Sequence, residues 1–322
     1  MGSQGNGVPG ILVGQISDQE ALTGCTVVIC PQGAVPGVDV RGGAPGTRET
    51  DALAPLNLVD KAYAVVLAGG SAFGLDAASG VVKYLEESGI GFDVGVTKVP
   101  IVAAAVLFDL DLGDYRIRPD AAMGYRAAAA ATEGPIEEGN VGAGTGATVG
   151  KLLGPQRAMK SGLGVASLQI EKLIVTALVA VNAFGDVVDP ATGKIIAGAL
   201  TEEGTFLDTE KQLRERVFNF APAINNTTIG IVTTNANLTK AEATKVAQVA
   251  HNGIARAIRP AHTLVDGDTV FCLATGKVAA DPNQVGSLAA QAMSGAIVRA
   301  AYAAEGVGEL PAAREMGGDR GL

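Results

Sequence analysis

The chain has 322 residues, 48% hydrophobic, 18% charged and 4% aromatic, with 44 glycines, no tryptophan and a formal charge of −9. The acidic balance argues against nucleic acid and anionic membranes as partners, because both require a basic face. The apolar content excludes a disordered chain, and glycine without a three-residue period excludes collagen.

Three cysteines (Cys25, Cys30 and Cys272) cannot close a disulfide framework, and two histidines disfavour His-rich zinc sites and most His-based triads. The longest apolar run, residues 99–108, is shorter than the roughly 20 residues of a membrane-spanning helix. Residues 1–5 lack the basic start and apolar stretch of a signal peptide. A soluble, cytoplasmic protein is the expectation.

In chain order, residues 25–30 and 62–67 read as buried strands, short and β-branched between Gly or Pro. The glycines at 69–70 lead into a helix from about 75 to 87, and a second helix follows Pro119 and ends near Thr132. Residues 162–188 return to strand character around the apolar run 173–181, with a turn at Gly185 and Asp186. Residues 202–216 hold the densest charge, a solvated surface helix or connector that ends at 221–226.

Beyond it, residues 228–234 read as a strand, and Thr239 with Glu242 forms a capping box that opens a helix. Ala243, Val246, Ala250, Gly253, Ile254 and Ala257 recur at helical spacing, which gives that helix one buried face. A strand at 268–274 and a small-residue helix at 286–304 follow, and 305–322 is expected to be loosely held.

Several residues invite a chemical reading. Gly142, Gly144 and Ala147 fit the loose spacing of a dinucleotide fingerprint, but neither flank supplies the required strand and helix. Before Gly150 and Lys151, Thr145 stands where a phosphate loop begins with glycine, and Leu152 replaces its Ser/Thr. Nucleotide binding is therefore not expected. His251 lies beside the apolar face of its helix and reads as a partly exposed surface residue. For His262, in a loop after a proline, a backbone hydrogen bond is sufficient explanation. Neither has neighbouring ligands, so no metal and no cofactor is expected.

Asp266 and Asp268 flank Gly267, and could bind a cation, orient an amine or share a proton; from spacing alone a plain Asp-Gly turn is the better reading. Lys151 either snorkels to the surface or serves a site. Asn182, near the end of a long apolar strand, needs a partner if buried.

Taken together, residues 40–51, 67–76, 118–120, 142–151, 181–186, 226–228 and 266–269 resemble, in order, the DmpA-like self-cleaving aminopeptidases and amidases. That family includes the β-aminopeptidases and the nylon-oligomer (6-aminohexanoate-oligomer) hydrolases. The resemblance implies a four-layer αββα sandwich of the N-terminal-nucleophile-hydrolase type, made as one domain, 1–322, and cut immediately before the nucleophile. Here the cut bond would be Asn226–Thr227, in a turn expected at the surface, leaving chains 1–226 and 227–322.

Thr227 would then carry the acyl group, and its freed α-amino group, with an ordinary pKa of about 7.7–8.0, would serve as its base. The scarcity of histidine fits a nucleophile that brings its own base. By the same resemblance Lys151 lies beside Thr227 and stabilises negative charge, and Asn182 donates to the oxyanion. Asp266 and Asp268 orient and tune the new ammonium and Lys151. Phe108 stands where relatives often have tyrosine: either the missing hydroxyl alters specificity or rate, or Phe108 merely packs.

Asn226-Thr227-Thr228 and the Asp-Gly-Asp-Thr run at 266–269 resemble the nylon-oligomer hydrolases more than the serine-bearing aminopeptidases. The expected activity is cleavage of linear amides such as 6-aminohexanoate oligomers; the alternative is release of small L-, D- or β-amino acids from peptides, amides or esters. Acyl transfer, as in the similarly folded ornithine acetyltransferases, and non-catalytic small-molecule binding are the other readings. The resemblance also implies a homotetramer of processed protomers.

Overall fold

The computed structural model describes residues 7–217 and 226–316. Nine strands share one mixed sheet: β1 (Leu12–Asp18), β2 (Thr23–Val40), β3 (Thr47–Arg48), β4 (Ala62–Ala68), β5 (Val102–Val106), β6 (Leu163–Ile170), β7 (Leu173–Asn182), β8 (Thr227–Ala236) and β9 (Thr269–Val278). Their order is β6-β7-β8-β9-β2-β4-β5-β3, with β1 also paired to β2. The helices are α1 (Ala77–Glu87), α2 (Ala121–Ala129), α3 (Thr209–Glu215), α4 (Lys240–Ala257) and α5 (Pro282–Ala303).

The strand read at 25–30 is the middle of a longer element. β2 pairs through Cys25–Ile29 with β4, shifts register between Ile29 and Ala34, and pairs through Val35–Val40 with β9. Pro31 and Pro36 end a strand in sequence terms because each lacks a ladder donor. Here the chain changes partners at that irregularity and continues.

Strand alternation divides the apolar side chains among three main clusters. On β8, Ile229 and Ile231 join Leu178 and Ala180 of β7, Phe271 and Leu273 of β9, and Val65, Leu67, Ala103 and Ala105 from the other half of the sheet. The opposite face of β7–β9, including Val179, Val232 and Cys272, packs on Val246, Ile254, Met293 and Ile297 of α4 and α5. A third cluster joins Val27, Val66 and Ala104 to Val81 and Leu85 of α1 and Met123 and Ala127 of α2.

The abundance of glycine and alanine has a direct cause where α1 crosses α2. A Cβ on Gly80 would stand 1.8 Å from the Ala121 carbonyl oxygen, and one on Gly124 would stand 1.9 Å from that of Ala77.

The capping box of Thr239 and Glu242 is present. α5 begins earlier than its small-residue composition indicates, because Asp281 caps it and Pro282 occupies its first turn. Residues 305–316 are held, not loose: Leu310, Ala312 and Ala313 are buried, and the Pro311 carbonyl accepts from Lys160 N–H at 2.9 Å. Residues 317–322, and 218–225 of the connector's end, lie outside the described residues. Among the described residues no helix is long and apolar enough to cross a membrane.

Candidate active site

Three neighbouring strands bring their ends to one place. β8 starts at Thr227, whose side chain shares the face of Ile229 and Ile231 by alternation. β7 ends at Asn182, the register partner of Thr227. The parallel neighbour β9 is preceded by Asp266, Gly267 and Asp268, and Asn226 bridges to Asp266.

The Asn226–Thr227 bond is not in a surface turn. Asn226 is 3% exposed and Thr227 4%, because the bridge to Asp266 draws the chain into the sheet before β8 begins. The Asn226 carbonyl accepts the Gly267 N–H at 3.1 Å and the hydroxyl of Thr227. Gly267 has to be glycine here: a Cβ would stand 2.8 Å from Thr227 Oγ1 and 2.7 Å from the Ala44 carbonyl oxygen.

Asn182 is fully buried, and its side chain is engaged at both ends. Its Oδ1 accepts from Lys151 Nζ at 2.7 Å and from Thr148 N–H at 3.0 Å; its Nδ2 donates to the Phe108 carbonyl at 2.8 Å. Lys151 is thus joined to Thr227 through the residue opposite it. Burial pushes the Lys151 ammonium down to about 7, against the upward pull of Asp266, Asp111 and Asp109.

The two aspartates are buried and carry more than a turn. Asp266 accepts from Phe184 N–H at 3.1 Å, Thr263 N–H at 3.2 Å and Thr263 Oγ1 at 2.5 Å. Burial, then the neighbouring Asp268, raises its carboxyl to about 6. Asp268 accepts from Thr228 N–H at 2.7 Å and from His262 N–H at 3.0 Å, and His262 Nδ1 lies 2.7 Å from the same carboxylate.

Both histidines therefore differ from their sequence reading. His262 uses its ring on Asp268 and not its backbone alone. His251 is 1% exposed, its ring 4.8 Å from that of His262 and its Nε2 3.0 Å from the Asp39 carbonyl oxygen. It follows Ala247 by four residues and precedes Ile254 by three, and α4 packs against both α5 and β2, so the buried face is wider than one stripe.

A cavity of about 270 Å³ opens at Thr227 and Asn226. Its walls come from Ala44, Pro45 and Gly46 after β2, from Ser71 and Ala72, and from Val106, Leu107 and Phe108. Phe108 is thus a wall of the cavity. Asp109, a residue the sequence reading passed over, fastens the Gly70–Ser71 wall. It accepts from Gly70 N–H at 2.7 Å and Thr23 Oγ1 at 2.8 Å, where Gly70 and Ser71 both have positive φ.

Lys160 was likewise not singled out. It is completely buried, and its ammonium donates to the carbonyls of Gly144, Ala147 and Ser161 at 3.2, 3.0 and 2.5 Å. The glycine-rich stretch from 142 is a buried wall clasped by this lysine. No local pattern announces either residue, since each is defined by partners distant in sequence.

Residues 6–313 match the profile of Peptidase family S58. An uncharacterized aminopeptidase of Mycobacterium tuberculosis is 44% identical over 317 residues, covering 91% of this chain and 89% of the relative. A 6-aminohexanoate-oligomer endohydrolase of Kocuria sp. is 30% identical over 309 residues, covering 91% and 84%. The structure of the L-aminopeptidase D-Ala-esterase/amidase from Ochrobactrum anthropi, described as a variant of the Ntn-hydrolase fold, superposes with a TM-score of 0.69 at 19% identity, covering 92% of this chain and 85% of that one; the likeness is one of fold. The protein belongs to peptidase family S58 and is a hydrolase acting on amide bonds.

Proposed function

We propose that the chain is a self-processing N-terminal-threonine amidohydrolase, cut between Asn226 and Thr227. The observation that carries this reading is the Asn226 carbonyl, held between the Gly267 N–H and the hydroxyl of Thr227. Attack of Thr227 Oγ1 on that carbonyl carbon moves the acyl group from nitrogen to oxygen, and water then hydrolyses the ester. The products are an Asn226 carboxylate and a free Thr227 amine. That amine next takes the hydroxyl proton when a substrate amide is attacked, forming an acyl-enzyme.

Asn182 is the donor to the developing oxyanion, a contribution of about 3–4 kcal/mol in comparable sites. Lys151, bonded to Asn182, supplies positive charge beside it. Asp266 and Asp268 orient the new ammonium. Phe108 contacts the acyl group from the cavity wall.

The three apolar clusters support a four-layer αββα arrangement, with helices outside and the cluster of Ile229, Leu67 and Phe271 between two sheet halves. In this reading 1–322 is one catalytic domain, a homotetramer of processed protomers in the cytoplasm. The substrates are linear amides of the 6-aminohexanoate-oligomer type, favoured by the Kocuria relative. Release of small amino acids as an aminopeptidase is the second reading, favoured by the description of the mycobacterial relative.

Intact mass under denaturing conditions tests the proposal. The wild type gives two fragments that break between Asn226 and Thr227, and Thr227→Ala stays whole. A folded, aged wild-type sample that remains a single chain overturns it.

A further inference from the structure

Asp268 stands where two strands have not yet begun to pair. The parallel ladder of β8 on β9 starts at Ile229 and Thr269. One residue earlier, the Thr228 N–H is taken instead by the Asp268 carboxylate, through Oδ1 at 2.7 Å. That N–H shares one rigid peptide plane with the carbonyl and Cα of Thr227. Whatever fixes the carboxylate therefore fixes the Cα of the threonine.

The last torsion of an aspartate is broad, so one bonded oxygen does not set the plane of the carboxylate. The second oxygen is held by His262. Oδ2 accepts the backbone N–H of His262 at 3.0 Å and faces its Nδ1 at 2.7 Å. A carboxylate oxygen offers lone pairs, so Nδ1 carries the proton of that bond. His262 presents both donors from a left-handed backbone, φ +58°.

Among the described residues the ring has no second hydrogen bond, since its Nε2 is buried without a partner. The His251 ring stands edge-on to it, 4.8 Å away at 71°, and is held in turn by its own Nε2 on the Asp39 carbonyl. A path of contacts thus runs from β2 and α4 through two imidazoles and one carboxylate to the residue after Thr227. His262 acts along it at second hand.

We propose that His262 is a positioning residue for Thr227: by setting the plane of the Asp268 carboxylate it keeps the Thr227 hydroxyl aligned on the Asn226 carbonyl. The inference rests on the self-cleavage reading and adds to it a residue that reading does not use. Alignment matters steeply, because a displacement of about 1 Å at a reacting atom slows a step by about a hundredfold.

The test is chemical rescue of self-cleavage in the full chain, made by cell-free translation and followed as loss of full-length chain on a denaturing gel. His262→Gly removes the ring and suits a φ of +58°, so the backbone is not strained. The side chain is 19% exposed, which leaves a small molecule a way into the vacated space. At about pH 8.5, above the ordinary histidine range, imidazole is a neutral N–H donor, and 1-methylimidazole is the same ring without the N–H.

Cleavage is expected to slow by about tenfold in His262→Gly, to recover by about threefold or more with imidazole, and to gain nothing from 1-methylimidazole. A ring that merely filled space would be replaced by either compound. His262→Asn supplies a second measure, because its amide donates from a backbone that asparagine tolerates. It is expected to cleave faster than His262→Phe, which keeps a ring and loses the donor. This pair decides the matter if the glycine variant does not fold.

Wild-type cleavage in folded His262→Gly overturns the inference and leaves the self-cleavage reading standing. So do equal effects of the two compounds, whether both restore or neither does, and His262→Asn no faster than His262→Phe. Rescue by imidazole in His262→Gly that also carries Asp268→Ala, with no carboxylate left to aim, overturns it as well. A wild-type chain that stays whole overturns both.

Discussion

Asn182 faces Thr227 in antiparallel register, and its side-chain oxygen accepts a 2.7 Å hydrogen bond from Lys151. The candidate oxyanion donor and the site's lysine therefore move as a unit with β7. In the proposed mechanism Lys151 assists only as an ammonium, and burial brings its pKa to about 7. In the same proposal the freed Thr227 amine serves as a base only when neutral. kcat/KM is accordingly expected to rise through the titration of the amine and to fall as Lys151 loses its proton, giving a narrow optimum near neutrality. In Lys151→Arg the second charge no longer titrates, so the alkaline fall is expected to vanish even if the maximum drops. A pH–rate profile of both proteins checks this.

Gly267 provides a test of the proposed cutting step without replacing Thr227, the proposed nucleophile. Gly267→Ala keeps the N–H that the Asn226 carbonyl accepts but adds a methyl group 2.8 Å from Thr227 Oγ1. The hydroxyl must shift, and alignment for attack is lost. Self-cleavage is expected to slow at least tenfold, followed as the loss of full-length chain on a denaturing gel. Cleavage at the wild-type rate would show that the hydroxyl reaches the carbonyl from another direction.

The elements that position these groups were legible to different degrees. The β8 strand, the α4 capping box and the apolar stripe from Ala243 to Ala257 all follow from local periodicity and hydrogen-bonding chemistry. The pairing of Asn182 with Thr227 is a matter of register between strands 45 residues apart, which period-two alternation does not specify. Long-range closure also hid the change of partners along β2, the burial of Asn226 and the contact of His262 with Asp268. Asp281-Pro282 did carry a helix-start signal, but the small-residue composition further on obscured it.

His251 makes the fold sensitive to acid. Burial, chiefly, holds its pKa at about 4, with Asp39, Asp268 and His262 as its charged or titrating neighbours. The ordinary value is 6.5, so between about 6.5 and 4 the unfolded chain binds a proton that the folded chain does not. His251 therefore contributes stability that is full above 6.5 and is lost as pH falls toward 4. Asp266, raised to about 6, works in the opposite direction over much of this range, so the wild-type curve alone does not isolate the histidine. The difference curve does: His251→Leu is expected to lose less stability than the wild type between pH 6.5 and 4. Urea unfolding in a Thr227→Ala background measures it on an intact chain.

Lys160 is a buried cation whose removal is expected to harm the fold more in base than in acid. Burial lowers its pKa to about 7 from 10.5, with Asp109 opposing and Lys151 reinforcing the shift. From about 7 to 10.5 the unfolded chain holds the extra proton, so wild-type stability from this group rises with pH across that window. Lys160→Met abolishes that rise and leaves the carbonyls of Gly144, Ala147 and Ser161 without their shared donor. The Gly144 and Ala147 carbonyls keep backbone donors, Ala147 N–H at 3.2 Å and Ser161 N–H at 3.0 Å, so the loss falls chiefly on the Ser161 carbonyl, at about 1–3 kcal/mol for a buried acceptor left unpaired. The variant is thus destabilised at every pH, and the loss is expected to grow by up to about 1.4 kcal/mol per unit between pH 7 and 9. Urea unfolding of Thr227→Ala with and without Lys160→Met at both pH values tests this: a loss that stays the same from pH 7 to 9 would mean that the three carbonyls hold Lys160 charged throughout.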